Sequence, residues 1–442
     1  MSISAYIYKV IRYATFMVIA SAMHACMPYE DPFLINRDSY GGNPGNRTTT
    51  ANERRVVLMY LAGYNSLSDC FRDDLKDVMN GWLPAGSQKD NVLLVYDHQP
   101  QRDGDYKTPT SPYLLRLTAG NDGKARIDTL VTYPEGTISS SSVQVNKVLT
   151  YVKSNFPARS YGMTFSSHAT GYLPAGYYSH PDSYVYNENR SGTMSVGTSV
   201  PQAVPYHEPE HDPSLPRVRS IGQDQVSAFG RYVSYEIDLK DFAEAIPMKL
   251  DFLMFDACLM GGIEVAYELR GKCGKVGFSQ AEVLAEGLDY TKIMPHLLGG
   301  EEADLESICN DYFIYYDSQT DPLYRSATIS LIDCDRLEPL AQACREIFSN
   351  HRETLEKIDP NMVQRFYRSG KKWFYDLESI AINAGASESE MDVLYDAAVL
   401  ALKQDAKTMT TELTLNLSYQ NEQWWIAADR ELLDAISGGI LY

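Results

Sequence analysis

Cysteine is sparse in this chain: there are seven in 442 residues, an odd number with no close ligand-like pairs. That pattern argues against a disulfide framework and against a thiolate metal site. Basic residues are also in short supply. Lys and Arg number 39 against 58 acids, for a formal net charge of −19, which excludes nucleic acid as a general partner and suits basic substrates. A Gly-x-Ser-x-Gly elbow is missing, so a serine hydrolase of the α/β type has no anchor. The apolar stretch Tyr13 to Ala22 falls short of the roughly 20 residues a membrane-spanning helix needs.

What the chain does hold is a large apolar fraction, 44%, and a length that fits one large domain with an extension, or two domains. The N-terminus reads as a targeting segment. Lys9 and Arg12 precede the short apolar stretch, and Cys26 follows closely. The placing resembles a bacterial lipoprotein signal, with residues 1–25 removed and Cys26 lipidated. An ordinary signal peptide cut after Ala25, giving a periplasmic or secreted protein, is the alternative. Residues 26–52 carry Pro28, Pro32, Gly41, Gly42, Pro44 and Gly45 and are expected to be a tether.

From residue 53 onward, strand and helix patterns alternate. Val56 to Leu61 is an unbroken apolar run, Ser68 offers an N-cap, and Phe71, Leu75 and Val78 recur at helical spacing. Asn91 to Tyr96 is a second strand. Tyr113 to Leu117 and Ile127 to Leu130 form an edge hairpin, and Val143, Val148, Leu149 and Val152 lie on a helix. The alternation predicts an α/β fold with a mainly parallel sheet flanked by helices. Residues 173–232 interrupt the rhythm with Pro201, Pro205, Pro209, Pro213 and Pro216, and read as a long loop insertion. His180, His207 and His211 in it are read as solvated residues, not metal ligands. Ala327 to Ile332 is a further strand, and helical spacing recurs from Leu337 to Ile347 and from Met391 to Leu402. The first unit is drawn as 53–304, and 305–442 as a C-terminal, largely helical extension packed on it through Trp373, Phe374, Trp424 and Trp425.

Two strand ends carry reactive groups. Phe252 to Phe255 runs into Asp256-Ala257-Cys258-Leu259-Met260-Gly261, and Tyr161 to Phe165 runs into Ser166-Ser167-His168-Ala169-Thr170-Gly171-Tyr172. Ligands of open α/β sheets bind beyond the carboxyl ends of the strands, so a thiol and an imidazole there form a candidate dyad, with Cys258 expected to be exposed. Asp256, two residues before Cys258, shares its side of the strand. The remaining thiols, Cys70, Cys273, Cys309, Cys334 and Cys344, read as packing residues.

At these residues the chain resembles the clostripain family of cysteine peptidases, which have a caspase-like fold. The family's nucleophile segment, Asp-Ala-Cys-x-Met-Gly with an early helical Glu, is matched through Glu264. Its Tyr-x-Ala-x-x-Asn-x-Leu pattern is matched by Tyr60, Ala62, Asn65 and Leu67. The resemblance implies a cysteine endopeptidase in which Cys258 is the nucleophile and His168 the proton donor to the leaving amine. The backbone N–H groups of Cys258 and Ala169 would face the oxyanion. Glu286, with Asp256, would hold the cation of an Arg or Lys before the cleaved bond. It also implies self-cleavage between the His and Cys strands, with Arg190, Arg217, Arg219 and Arg231 as sites in the insertion and Lys147 as an alternative. Ala169 stands where the family favours Gly, Tyr172 where it favours Trp, and Leu288 where Trp often follows Gly. Those departures suggest the rival reading, a non-catalytic peptide-binding lipoprotein on the same fold. No cofactor and no metal are expected.

Overall fold

The computed structural model describes residues 54–172, 218–219, 222–228, 231–321, 324–325, 327–364, 366, 374–401 and 426–427. The expected leader, Cys26, the tether, the histidines of the insertion and the three tryptophans lie outside the described residues. Residues 50–442 form one compact unit.

In chain order the elements are β1 (Arg55–Ala62), α1 (Ser68–Asn80), β2 (Val92–His98), β3 (Tyr113–Ala119), β4 (Ala125–Thr132), α2 (Ser142–Asn155) and β5 (Ser160–Ser166). The insertion contributes β6 (Val218–Arg219), β7 (Asp224–Ala228) and β8 (Arg231–Tyr235). Then follow α3 (Leu239–Ala245), β9 (Leu250–Asp256), α4 (Ile263–Leu269), β10 (Cys273–Phe278), β11 (Val283–Leu284), α5 (Tyr290–Leu298), α6 (Leu305–Asp317) and β12 (Ser330–Asp333). The C-terminal part is largely helical: α7 (Glu338–Asn350), α8 (Arg352–Leu355), α9 (Leu377–Ala384) and α10 (Glu388–Ala401), with short strands β13 (Phe374–Tyr375) and β14 (Ile426–Ala427).

Eight strands form the main sheet, in the order β12-β10-β9-β5-β1-β2-β3-β4. The five central strands, β10 to β2, run parallel, and the edges are antiparallel: β12 on one side, the β3–β4 hairpin on the other. The burial patterns explain the order. Strands β1 and β2 are buried at every residue, as strands covered on both faces must be. By contrast β4 alternates half-buried and exposed positions over much of its length, which is tolerable only at an edge. Aromatic stacking ties the centre together, with Tyr60 over Tyr96 at 4.2 Å between ring centroids and over Phe165 at 5.3 Å. Each such pair adds about 1 kcal/mol beyond burial.

Several sequence expectations change. The N-cap of α1 is Leu67, and Ser68 is already helical, its hydroxyl donating to Asp103 at 2.9 Å. In α2 the exposed apolar residue is Val143, while Val145 faces the core. The insertion is not all loop: β7 and β8 form an antiparallel hairpin, so Arg231 lies in a strand. Alternation along 224–235 was masked by the Pro-rich stretch before it. Lys147 sits within α2, its amine 5.3 Å from the centre of the Tyr133 ring, and a helical backbone does not thread a peptidase cleft as an extended chain would. Segments 290–298 and 305–317 prove helical. Within 305–442, β12 is itself a strand of the main sheet.

The end of the insertion is seated by a buried polar network. Ser140 Oγ donates to Asp224 Oδ1 at 3.0 Å and the Ser139 N–H donates to Asp224 Oδ2. Ser139 Oγ lies 2.6 Å from His98 Nδ1 and 2.7 Å from Tyr96 Oη, and the Tyr60 hydroxyl donates to the Ser139 carbonyl at 2.8 Å. Burial pushes the Tyr60 and Tyr96 hydroxyls well above their ordinary pKa, so both stay neutral. β7 is thereby clamped to the carboxyl ends of β1 and β2, where the candidate site lies.

Candidate functional site

Register brings the two reactive residues together. In the parallel pairing of β5 with β9, Ser166 stands opposite Asp256, and His168 and Cys258 each follow two residues later. Neighbouring strands lie about 4.8 Å apart, so the chain segments that carry His168 and Cys258 leave adjacent strands at the same level.

The loop that carries the thiol is braced by the segment after β10. Leu259, immediately after the thiol, has φ 59°, the one non-glycine residue among the described residues in the left-handed region. Such backbone is unfavourable for a branched residue by about 1–2 kcal/mol and persists only where the surroundings hold it. They do so here. The Leu259 N–H donates to the Ala281 carbonyl at 3.0 Å and the Gly261 N–H to the Ser279 carbonyl at 2.7 Å. A Cβ at Gly261 would come within 2.6 Å of the Gln280 nitrogen, which is why the motif ends in glycine. The 279–281 segment is held in turn by Thr328, whose Oγ1 accepts from the Ala281 N–H at 3.1 Å and lies 2.9 Å from Ser279 Oγ.

Cys258 is not the exposed thiol expected from its place at a strand end. Its relative exposure is 1%. The cover comes from β11: the Val283 N–H donates to Cys258 Sγ at 3.2 Å, and the thiol lies 3.7 Å from the Val283 carbonyl. Leu259, Ala281, Val283, Phe366 and Phe374 complete an apolar cluster around it. The thiol thus both accepts from and donates to the backbone of one residue, and the apolar lid restricts access. β11 also pairs antiparallel with β6 of the insertion, Val283 opposite Arg219 and Leu284 opposite Val218.

His168 is 6% exposed, and its Nε2 lies 2.9 Å from Ser66 Oγ. The surrounding loop is fixed by Asn65, fully buried, whose Nδ2 donates to the Ala62 carbonyl at 2.8 Å and to the Gln223 carbonyl at 2.7 Å. Asn65 Oδ1 accepts from the Leu67 N–H at 2.9 Å, and Ser167 Oγ donates to the Ala62 carbonyl at 2.8 Å. Ala169, expected at the oxyanion, is fully buried next to the imidazole.

The two proposed pocket acids differ sharply in environment. Asp256 is 1% exposed; its Oδ2 accepts from the Tyr290 hydroxyl at 3.2 Å, and that hydroxyl is 2.8 Å from Ser166 Oγ. Glu286 is exposed in the turn after β11, before Gly287 at φ 59°. Its charge is felt at Tyr315, whose hydroxyl is raised by burial and then by Glu286 and Asp289. Asp289 is the N-cap of α5 and pairs with Lys292 at 2.9 Å.

Sequence reasoning missed Ser66, Val283 and Tyr290. Ser66 sat in the unspecified position between Asn65 and Leu67. Tyr290 and Val283 lie 34 and 25 residues from their partners Asp256 and Cys258, beyond any local pattern. Among the described residues no cluster of three His, Cys, Asp or Glu side chains could hold a metal ion.

Comparison with known proteins gives a consistent picture. The model of the clostripain family matches residues 207–423, a stretch that contains Cys258 but not His168. Clostripain of Hathewaya histolytica is 21% identical over 309 residues, which is 65% of this chain and 51% of the relative. The chain therefore spans about half the length of the curated relative it matches. Among solved structures, an inactive zymogen C11 protease from Parabacteroides distasonis superposes with a TM-score of 0.61 at 22% identity, covering 88% of this chain and 96% of that one. A secreted C11 cysteine protease from Bacteroides thetaiotaomicron, solved with an irreversible peptide inhibitor, gives a TM-score of 0.58 at 24% identity, covering 79% and 83%. These likenesses establish the caspase-like fold.

Proposed function

The chain belongs to the clostripain family, and on that premise we propose that it is a cysteine endopeptidase whose dyad is His168 and Cys258. The observation that carries the reading is the β5–β9 register, which sets both residues two positions beyond a matched pair on adjacent parallel strands. In the reaction Cys258 Sγ attacks the scissile carbonyl as its proton passes to His168. The imidazolium then protonates the leaving amine as the C–N bond breaks, and water releases the acyl group from sulfur. The backbone N–H groups of Cys258 and Ala169 would receive the oxyanion.

Specificity for Arg or Lys rests on Asp256 at the pocket floor, with Glu286 at its solvent side. A desolvated carboxylate paired with a guanidinium contributes on the order of 2–5 kcal/mol when truncation leaves the other charge buried. The burial of Asp256 supports its role more strongly than exposure supports that of Glu286. Self-cleavage in the insertion, at Arg190, Arg217 or Arg219, would release β6 from β11. Export with lipidation at Cys26 places the enzyme at a membrane; a secreted relative and the N-terminal pattern support export.

The test is labelling of the full chain with an irreversible thiol-directed inhibitor carrying Arg or Lys, followed by mass spectrometry. Cys258 should be modified in wild type and not after His168→Ala. Matched Arg, Lys, Asp and Leu substrates should then show kcat/KM highest for Arg and Lys, and Asp256→Asn should lower the ratio of Arg to Leu turnover by a factor of about 10 or more. The non-catalytic peptide-binding reading draws support from the covered thiol and from Ala169. No adduct at Cys258 and no turnover in wild type would establish that reading in its place.

A further inference from the structure

We propose that Ser66 is a positioning residue for His168, accepting the Nε2–H of the imidazole and so leaving Nδ1 as the nitrogen that exchanges protons with Cys258. The proposal deepens the peptidase reading and rests on it. The contact is 2.9 Å between Ser66 Oγ and His168 Nε2, in a place where His168 is almost fully buried. A neutral imidazole has one N–H and one lone pair, and in such a site the hydrogen bond made by one nitrogen decides the chemistry left to the other.

The setting makes Ser66 a fixed partner. It stands between Asn65 and Leu67, and Asn65 clamps the turn at both ends through the Ala62 carbonyl and the Leu67 N–H. The His168 loop is clamped to the same carbonyl, since Ser167 Oγ also donates to Ala62. The Gln223 N–H donates to Ser167 Oγ at 3.2 Å and its carbonyl accepts from Asn65. Ser66 and His168 are thus carried by two loops bolted to one point at the end of β1, so their separation is not left to side-chain freedom. As His168 takes the thiol proton, the Nε2–H becomes a charged donor and its bond to Ser66 Oγ strengthens. The hydroxyl favours the thiolate–imidazolium pair by acting through the imidazole.

The experiment uses the full chain with ¹⁵N-labelled histidine, the His168 signals being assigned by their loss in His168→Gln. The expected spectrum of neutral His168 shows the proton on Nε2; a proton on Nδ1 would overturn the proposal whether or not Ser66→Ala folds. In Ser66→Ala, kcat should fall by a factor of about 10 to 100 with KM within about twofold, as is usual for loss of an orienting partner. The midpoint for alkylation of Cys258 should rise by about one pH unit, the scale of a hydrogen bond to a charged ring. Ser66→Thr, which keeps the hydroxyl, should restore both. A folded Ser66→Ala protein with wild-type kcat and an unmoved midpoint refutes the role of Ser66 while leaving the dyad intact. If instead His168→Ala retains wild-type turnover and alkylation, the His168–Cys258 dyad itself falls; no turnover and no Cys258 adduct in wild type would remove the peptidase reading.

Discussion

Gly171 is where the His168 loop and the Cys258 loop meet. Its φ is +63°, and a Cβ built there would sit 2.3 Å from the carbonyl oxygen of Leu259, itself the strained residue after the thiol. Gly171→Ala therefore meets both a left-handed backbone and a backbone clash that no rotamer relieves. We expect a loss of about 3 kcal/mol in stability, combining the left-handed penalty with overpacking, and a fall in kcat larger than any rise in KM. Denaturant unfolding and steady-state kinetics check the two parts; stability within about 0.5 kcal/mol of wild type, the range of an ordinary surface change, would show that the contact yields. At this scale the placing of Cys258 and His168 just beyond two strands could be read from sequence, because each follows an apolar run of strand length, and β register makes those strands neighbours. The burial of Cys258 could not be read, since its lid comes from Val283, Phe366 and Phe374. Local periodicity says nothing of partners 25 to 116 residues away.

Elements with strong periodicity, such as β1, β2 and α10, were evident from apolar spacing, whereas the β7–β8 hairpin and β11 were not. β11 is only two residues long, too short for alternation to show, and it exists because β6 and Cys258 offer partners for its backbone. The docking of α10 on α7 offers a pH-dependent test. The Glu390 carboxylate accepts from Asn350 Nδ2 at 2.9 Å and from the Ser387 N–H at 2.8 Å, and lies 2.8 Å from His351 Nε2. Those bonds, that from Asn350 first, hold its pKa down from an ordinary 4.5 to about 2. A carboxylate depressed in the folded state adds stability that is fully present above its unfolded value. That stability is lost as pH falls from 4.5 through about 2. Glu390→Gln should thus lower Tm by a few degrees at neutral pH, with the gap to wild type closing below that window. A gap that is constant from pH 7 to 3 would mean that the carboxylate charge contributes nothing at this contact.

Over the whole molecule, the insertion between β5 and β9 is tied in two places. Asp224 seats β7 on the sheet, and β6 pairs with the strand that covers Cys258. The first anchor belongs to the core and should survive a cut in the chain; the second is a two-residue ladder with about two hydrogen bonds, each contributing roughly 1 kcal/mol. Cutting the chain within 173–217 should free β6 and loosen β11, while the compact unit of residues 50–442 stays assembled. Release of both bonds, about 2 kcal/mol together, corresponds to a change of more than tenfold in the population of open states, since 1.4 kcal/mol is a factor of ten. The expected result is that alkylation of Cys258, followed site by site by mass spectrometry, speeds up about tenfold or more after the cut. The other buried thiols supply the internal control. Burial pushes Cys309, Cys334 and Cys344 up to about 12 and Cys273 well above its ordinary value, so they should stay unlabelled at neutral pH before and after. If they become labelled together with Cys258, the cut has loosened the whole core. If Cys258 reacts at the same rate in cut and uncut chains, with those four silent, the β6–β11 ladder does not govern access to the thiol.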